Sequence, residues 1–112
     1  MTFWDALDEI VEKHRIVIDR PEGSPHPRFP DSIYPLDYGY LDGTSGGDGS
    51  GIDVWRGSNN QKTVVGTIIT IDLLKSDKEV KILVGCTDEE VEIVLRYLNS
   101  YTQSGILVKR ED

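Results

Sequence analysis

The run Gly47-Asp-Gly-Ser-Gly-Ile-Asp-Val-Trp55 concentrates more chemistry than any other part of the sequence. Asp48 and Asp53 flank a glycine-rich bend that leads into a short β-branched stretch. Glycines let the backbone fold sharply enough for nearby carboxylates to converge. Converging carboxylate oxygens are what a hard divalent cation takes. Taken alone, the same run also reads as a polar turn in which aspartate caps backbone amides. A calcium loop from Asp42 to Asp53 is set aside, because it lacks a side-chain ligand at its fifth position and has no flanking helices. Other acids stand where elements begin or end. Asp19 follows an apolar stretch and precedes Pro21, and Asp72 follows a β-branched run over 64–71. Glu79 and Lys81 are two residues apart on one predicted strand, so they share a face.

The elements that must position these groups follow from periodicity and caps. Residues 2–14 read as an amphipathic helix capped by Thr2 with Asp5 three residues later. Strands are expected at 15–19, near 38–41, and at 52–56, 64–71, 79–84 and 105–109. Thr87-Asp-Glu-Glu90 is a capping box that opens a second helix, with Val91, Val94, Leu95 and Leu98 on one face. Residues 20–51 hold all five prolines and most of the glycines. So long an aperiodic stretch is uncommon in a small domain unless it is functional or disordered. Its aromatics, Phe29, Tyr34, Tyr38 and Tyr40, argue for an ordered loop packed on a scaffold. The expected fold class is mainly β, a small β-barrel with flanking helices, one at the N-terminus and one near the C-terminus.

Composition bounds the function. The 112 residues make one domain, 1–112. Twenty acidic residues stand against twelve basic ones, a net charge of −8. Such a chain is repelled by bulk nucleic acid and by anionic membranes, so neither is expected as a partner. To handle an anionic substrate it needs a local basic cluster or bound divalent cations. No apolar run is long enough for a membrane helix, and the N-terminus has no secretory pattern. With a single cysteine, Cys86, there is no intramolecular disulfide, and a reducing cytoplasm is the expected setting. Cys86, Trp4 and Trp55 read as core, and His14 and His26 as surface residues.

The wider pattern resembles the soluble family I inorganic pyrophosphatases. Three segments carry the resemblance: Ile18-Asp-Arg-Pro21; Tyr34-Pro-Leu-Asp-Tyr-Gly-Tyr40; and Asp48-Gly-Ser-Gly-Ile-Asp-Val54, against a family signature D-[SGDN]-D-P-x-D-V. Asp72, then Glu79-Val-Lys81, and Arg96-Tyr-Leu-Asn-Ser-Tyr101 match more thinly. The resemblance runs from about residue 15 to residue 109. It implies a five-stranded oligonucleotide-binding-type barrel whose mouth gathers Mg²⁺, with Mn²⁺ as the alternative ion. In that frame Asp19, Asp48, Asp53, Asp72 and Glu79 are metal-site carboxylates. Arg28, Lys81, Tyr38 and Tyr101 hold phosphate oxygens, and Asp53 and Tyr38 serve catalysis. The implied reaction is hydrolysis of pyrophosphate to two orthophosphates by a metal-activated water. A homo-oligomer is the implied assembly.

The sequence also departs from the family. Ser50 stands where the signature has its middle aspartate, which in the family serves as general base. Arg28 stands where a substrate-binding lysine is expected, and Thr102 where another lysine is. A hairpin before Tyr34 is missing, and an arginine on it goes with it. Asp37 or Asp42 could then supply the base, and Arg20 or Arg56 the lost cationic contacts. Three readings stay open: a pyrophosphatase, a non-catalytic phosphate- or nucleotide-binding or protein-interaction relative, and a hydrolase of another phosphoanhydride.

Overall fold

The computed structural model describes residues 1–47 and 49–111. Helix α1 (Phe3–Lys13) starts at Thr2, whose hydroxyl accepts from the Asp5 amide while the Asp5 carboxylate accepts from the Thr2 amide. Helix α2 (Asp88–Tyr97) repeats the device with Thr87 and Glu90. Such boxes satisfy two otherwise orphaned amides at once. Among the described residues six strands form one sheet: β1 (Ile16–Arg20), β2 (Asp37–Leu41), β3 (Ile52–Arg56), β4 (Val64–Asp72), β5 (Asp77–Val84) and β6 (Gln103–Lys109). Every element lies within a few residues of its predicted span.

The strands pair in the order β1-β2-β3-β5-β4-β6. All neighbours are antiparallel except β3 and β5, which run parallel over Val54↔Ile82, Trp55↔Leu83 and Arg56↔Val84. The mainly β class with two helices holds, but the barrel needs correction: β1 and β6 remain the two ends of an open sheet. Residues 20–36 supply no long strand to join those ends. Their backbone pairs with itself instead, through the bridge between Pro25 and Ile33 and the bond from the His26 amide to the Ser32 carbonyl.

Alternation along β3 and β5 divides the core into two. Val54, Ile82 and Val84 join Leu41, Val64 and the α1 residues Leu7 and Val11 on one side. Trp55 and Leu83 join Tyr34, Leu36, Ile68 and the α2 residues Val91 and Val94, with Leu98, on the other. Each helix therefore covers one face of the sheet. Two local features aim side chains toward the second face. The register of β1 slips between Ile18 and Arg20, which makes Asp19 the extra residue of a bulge. β2 crosses so close to β1 that a Cβ at Gly39 would collide with the Val17 carbonyl. Among the described residues, no helix is long and apolar enough to cross a membrane.

Candidate active site

A cleft of about 500 Å³ opens at the edge of the α2-side core. Its floor is a buried polar cluster fixed by strand register. In the parallel β3–β5 pair, Val54 faces Ile82, so Asp53 and Lys81 fall on the opposite face, with Trp55. Tyr38 pairs with Trp55 across β2–β3 and shares that face. The result is compact. Lys81 is 5% exposed, and its ammonium donates to Tyr38 Oη at 2.9 Å and to Asp53 Oδ2 at 3.1 Å. Glu79 Oε2 lies 3.6 Å away.

These groups set one another's charge. Burial alone would raise the Asp53 carboxyl. Its hydrogen bond with Glu79, and the Lys81 ammonium beside it, outweigh burial and hold it below the usual carboxylate range. Burial alone would lower Lys81, but Tyr38, Asp53 and Glu79 keep it charged, well above its ordinary value. Burial raises the Tyr38 hydroxyl far above the usual phenol, more than Lys81 can offset. Tyr38 is thus a neutral donor at any physiological pH.

The opposite wall comes from residues 20–36. Arg20 donates to Tyr34 Oη and lies over the Tyr34 ring, 5.6 Å from its centroid. Ser32 donates to Tyr97 Oη at 2.9 Å, tying the loop to α2. His26 Nδ1 accepts from the amides of Arg28 and Phe29 at 3.0 and 3.2 Å, so this nitrogen carries no proton. The ring is stacked on Tyr34. Burial, and then the cations Arg20, Lys75 and Arg28, lower the His26 imidazole, with Asp72 opposing them. At the mouth, the Phe29 and Tyr101 rings stack with centroids 5.7 Å apart and planes 8° from parallel.

Of the expected site residues, Asp19, Arg28, Tyr38, Asp53, Asp72, Glu79, Lys81 and Tyr101 all line this cleft. Asp48 lies outside the described residues. Asp72 is committed to local structure: its Oδ1 accepts from the amides of Leu74 and Lys75 at 3.0 and 3.2 Å, as in an Asx turn. Arg20 lines the cleft, but Arg56 does not. The Arg56 guanidinium binds the carbonyls of Gly57, Asn60 and Val84. Asp37 caps the Glu22 amide and Asp42 pairs with Arg15, and neither lines the cleft. His26 is half-buried in the wall rather than free on the surface. Sequence reasoning missed Lys75, Ser32 and Gln103, which lie in segments with no motif, and Tyr97, which stands inside the segment quoted for Tyr101.

The cleft's charge differs from that of the chain. Among the described residues four lysines and arginines line it, against four acids, although acids outnumber those cations in the chain twenty to twelve. A chain of net −8 has thus gathered cations here. No group of three histidine, cysteine or acidic side chains converges among the described residues. Asp53 and Glu79 nonetheless point at one place, the Lys81 ammonium. An all-oxygen pair of this kind suits Mg²⁺, which binds through one or two carboxylates plus water and substrate oxygens.

No protein-family model and no curated protein matches the sequence. Solved structures do match the fold. The inorganic pyrophosphatase of Helicobacter pylori superposes with a TM-score of 0.59 at 14% identity, covering 84% of this chain and 81% of that one. An inorganic phosphatase from Anaplasma phagocytophilum gives 0.58 at 14%, with the same coverage. The inorganic pyrophosphatase of Coxiella burnetii gives 0.59 at 12%, covering 87% of this chain and 84% of that one. The six-stranded sheet, its two covering helices and the cleft between β3–β5 and residues 20–36 are thus built on the inorganic pyrophosphatase fold.

Proposed function

We propose that this protein hydrolyses inorganic pyrophosphate with the help of a divalent cation, Mg²⁺ in the first instance. The observation that carries the reading is the Tyr38–Asp53–Glu79–Lys81 cluster facing a cation-enriched cleft on this fold. Asp53 and Glu79, with Asp48, would hold the metal. A bound Mg²⁺ would lower the pKa of a water and neutralise charge on the leaving phosphate. Lys81, Arg28, Arg20 and Lys75 can take phosphate oxygens from two sides, because they stand on the floor and on the walls. Tyr38 receives a hydrogen bond from Lys81 and is itself bonded to the Asp53 carboxylate, which keeps both groups in place at the floor. Asp53, held ionised, can accept a hydrogen bond from the attacking water and fix its direction. The reading keeps a cytoplasmic setting and a homo-oligomer as its expectations.

A second reading, a phosphate-binding relative without turnover, is favoured by two observations. Ser50 lines the cleft where the family places an acid, and Asp72 is engaged by turn amides. The deciding experiment is orthophosphate release from pyrophosphate with and without Mg²⁺, beside Asp53→Asn and Ser50→Asp. Release that needs Mg²⁺ and disappears in Asp53→Asn supports the hydrolase. If neither the native chain nor Ser50→Asp releases phosphate while pyrophosphate still binds, the binding reading replaces it.

A further inference from the structure

The phosphate-binding floor occupies one part of the cleft, and the rest has a different chemistry. A volume of about 500 Å³ is in the range that holds a whole drug-sized ligand rather than a bare diphosphate. At the mouth, Tyr101 is 66% exposed. It adopts a φ of 58°, a backbone conformation uncommon for a residue with a bulky side chain. That conformation sets its ring against Phe29, on the opposite side of the cleft. Arg28 adjoins Phe29 in sequence and lines the same wall. Two buried polar atoms have no hydrogen-bond partner among the described residues, Trp55 Nε1 and Gln103 Oε1, and both residues line this cleft. Buried polar groups without partners call for an explanation. Gln103 follows Tyr101 by two residues and lines the same cleft, and its amide oxygen offers an acceptor to an amino group carried on a planar ring. Aromatic side chains at the mouth of a cationic groove are what nucleobases stack on.

We infer that the cleft takes a phosphoanhydride that carries a planar nitrogenous ring, a nucleoside diphosphate, with the ring on the Phe29–Tyr101 pair and the phosphates at Lys81 and Arg28. This deepens the proposed function and rests on its phosphate-binding floor. The ring subsite gives the ligand its orientation, and Gln103 Oε1 receives the ring's amino group.

Calorimetry with non-hydrolysable probes in Mg²⁺ tests it. The probes are the α,β-methylene analogue of ADP and the methyl ester of methylenediphosphonate, which keeps the anionic head and lacks ring and ribose. The expected result is that the ADP analogue binds the native chain at least about tenfold tighter, as one base–aromatic stack allows. This ratio should fall toward one in Phe29→Ala and in Tyr101→Ala and persist in Tyr101→Phe. A ratio between affinities is insensitive to a general loss of binding. Equal affinities in the native chain, or a ratio that survives loss of both rings, overturn the inference. Pyrophosphate release under the conditions above stands or falls separately. Release without a ring preference leaves the proposed function and removes the nucleotide. A ring preference without release does the reverse.

Discussion

The floor and the loop wall of the cleft are held by different means. The floor residues sit on β2, β3 and β5, where register alone brings Tyr38, Asp53 and Lys81 to one face. A site on regular strands is preorganised, because each side chain inherits its place from the ladder. The wall residues sit on 20–36, where an isolated bridge, a few amide bonds and stacked rings replace the ladder. Low contact density and exposed bonds mark regions that open locally. The two also differ electrostatically. The floor holds charges that neutralise one another, while the wall keeps a neutral imidazole among cations. A rigid ionic floor opposite a looser cationic wall suits a ligand that enters and leaves.

The largest effect should follow from Lys81→Met, which leaves Asp53 and Glu79 facing each other. Removing one partner of a buried charge cluster costs about 3 kcal/mol or more, to be read as a lower urea midpoint at constant slope. Added Mg²⁺ should restore more stability to this variant than to the native chain. A variant as stable as the native chain would mean the floor is not an ionic unit. Tyr38→Phe should cost about 2 kcal/mol in urea unfolding, the value of a hydrogen bond to a charged group. Next comes Arg28→Ala in the wall. A hydrogen bond from a charged group is worth about tenfold in affinity, so binding of pyrophosphate should weaken by about that much. Stability should stay within about 0.5 kcal/mol, since Arg28 is exposed. A large loss of stability would make the wall as structural as the floor.

Acid should separate the regions without mutation. The His26 imidazole is lowered from its ordinary 6.5. The unfolded or opened loop therefore binds the proton first, and the wall loses stability as pH falls through 6.5 toward the lower folded value. Asp53 is lowered from 3.8. Its contribution is present above 3.8 and is lost only as pH falls through its own, lower value. Amide protection factors, exchange rates corrected for their intrinsic pH dependence, should therefore fall in 24–34 between pH 7 and pH 5 in Mg²⁺-free buffer, while those of β3 and β5 hold. Simultaneous loosening would dissolve the distinction. The smallest signal is chemical: burial pushes the Cys86 thiol up to about 12. A disulfide reagent at pH 8 should leave native Cys86 unmodified and label it after unfolding.

Local chemistry made the elements legible in the sequence. Thr2 with Asp5 and Thr87 with Glu90 announce both helix starts, because a cap is a contact between residues three apart. The β-branched runs announce the strands, and the spacing of Glu79 and Lys81 puts them on one face. The motif residues pointed to the floor because the signature and the strand alternation are both short-range patterns. What the tertiary structure alone decided is everything that depends on which strands meet. The sheet stays open because no strand among the described residues joins β1 to β6. Asp72 turns to the amides of Leu74 and Lys75, whereas Asp53 meets Lys81 across twenty-eight positions. Arg20 reaches the cleft and Arg56 is absorbed by carbonyls. Long-range packing brings Tyr34 to Arg20, whereas Arg56 is held by the carbonyls of its own turn, Gly57 and Asn60, and by Val84 twenty-eight residues on, because the parallel β3–β5 pair sets those strands side by side.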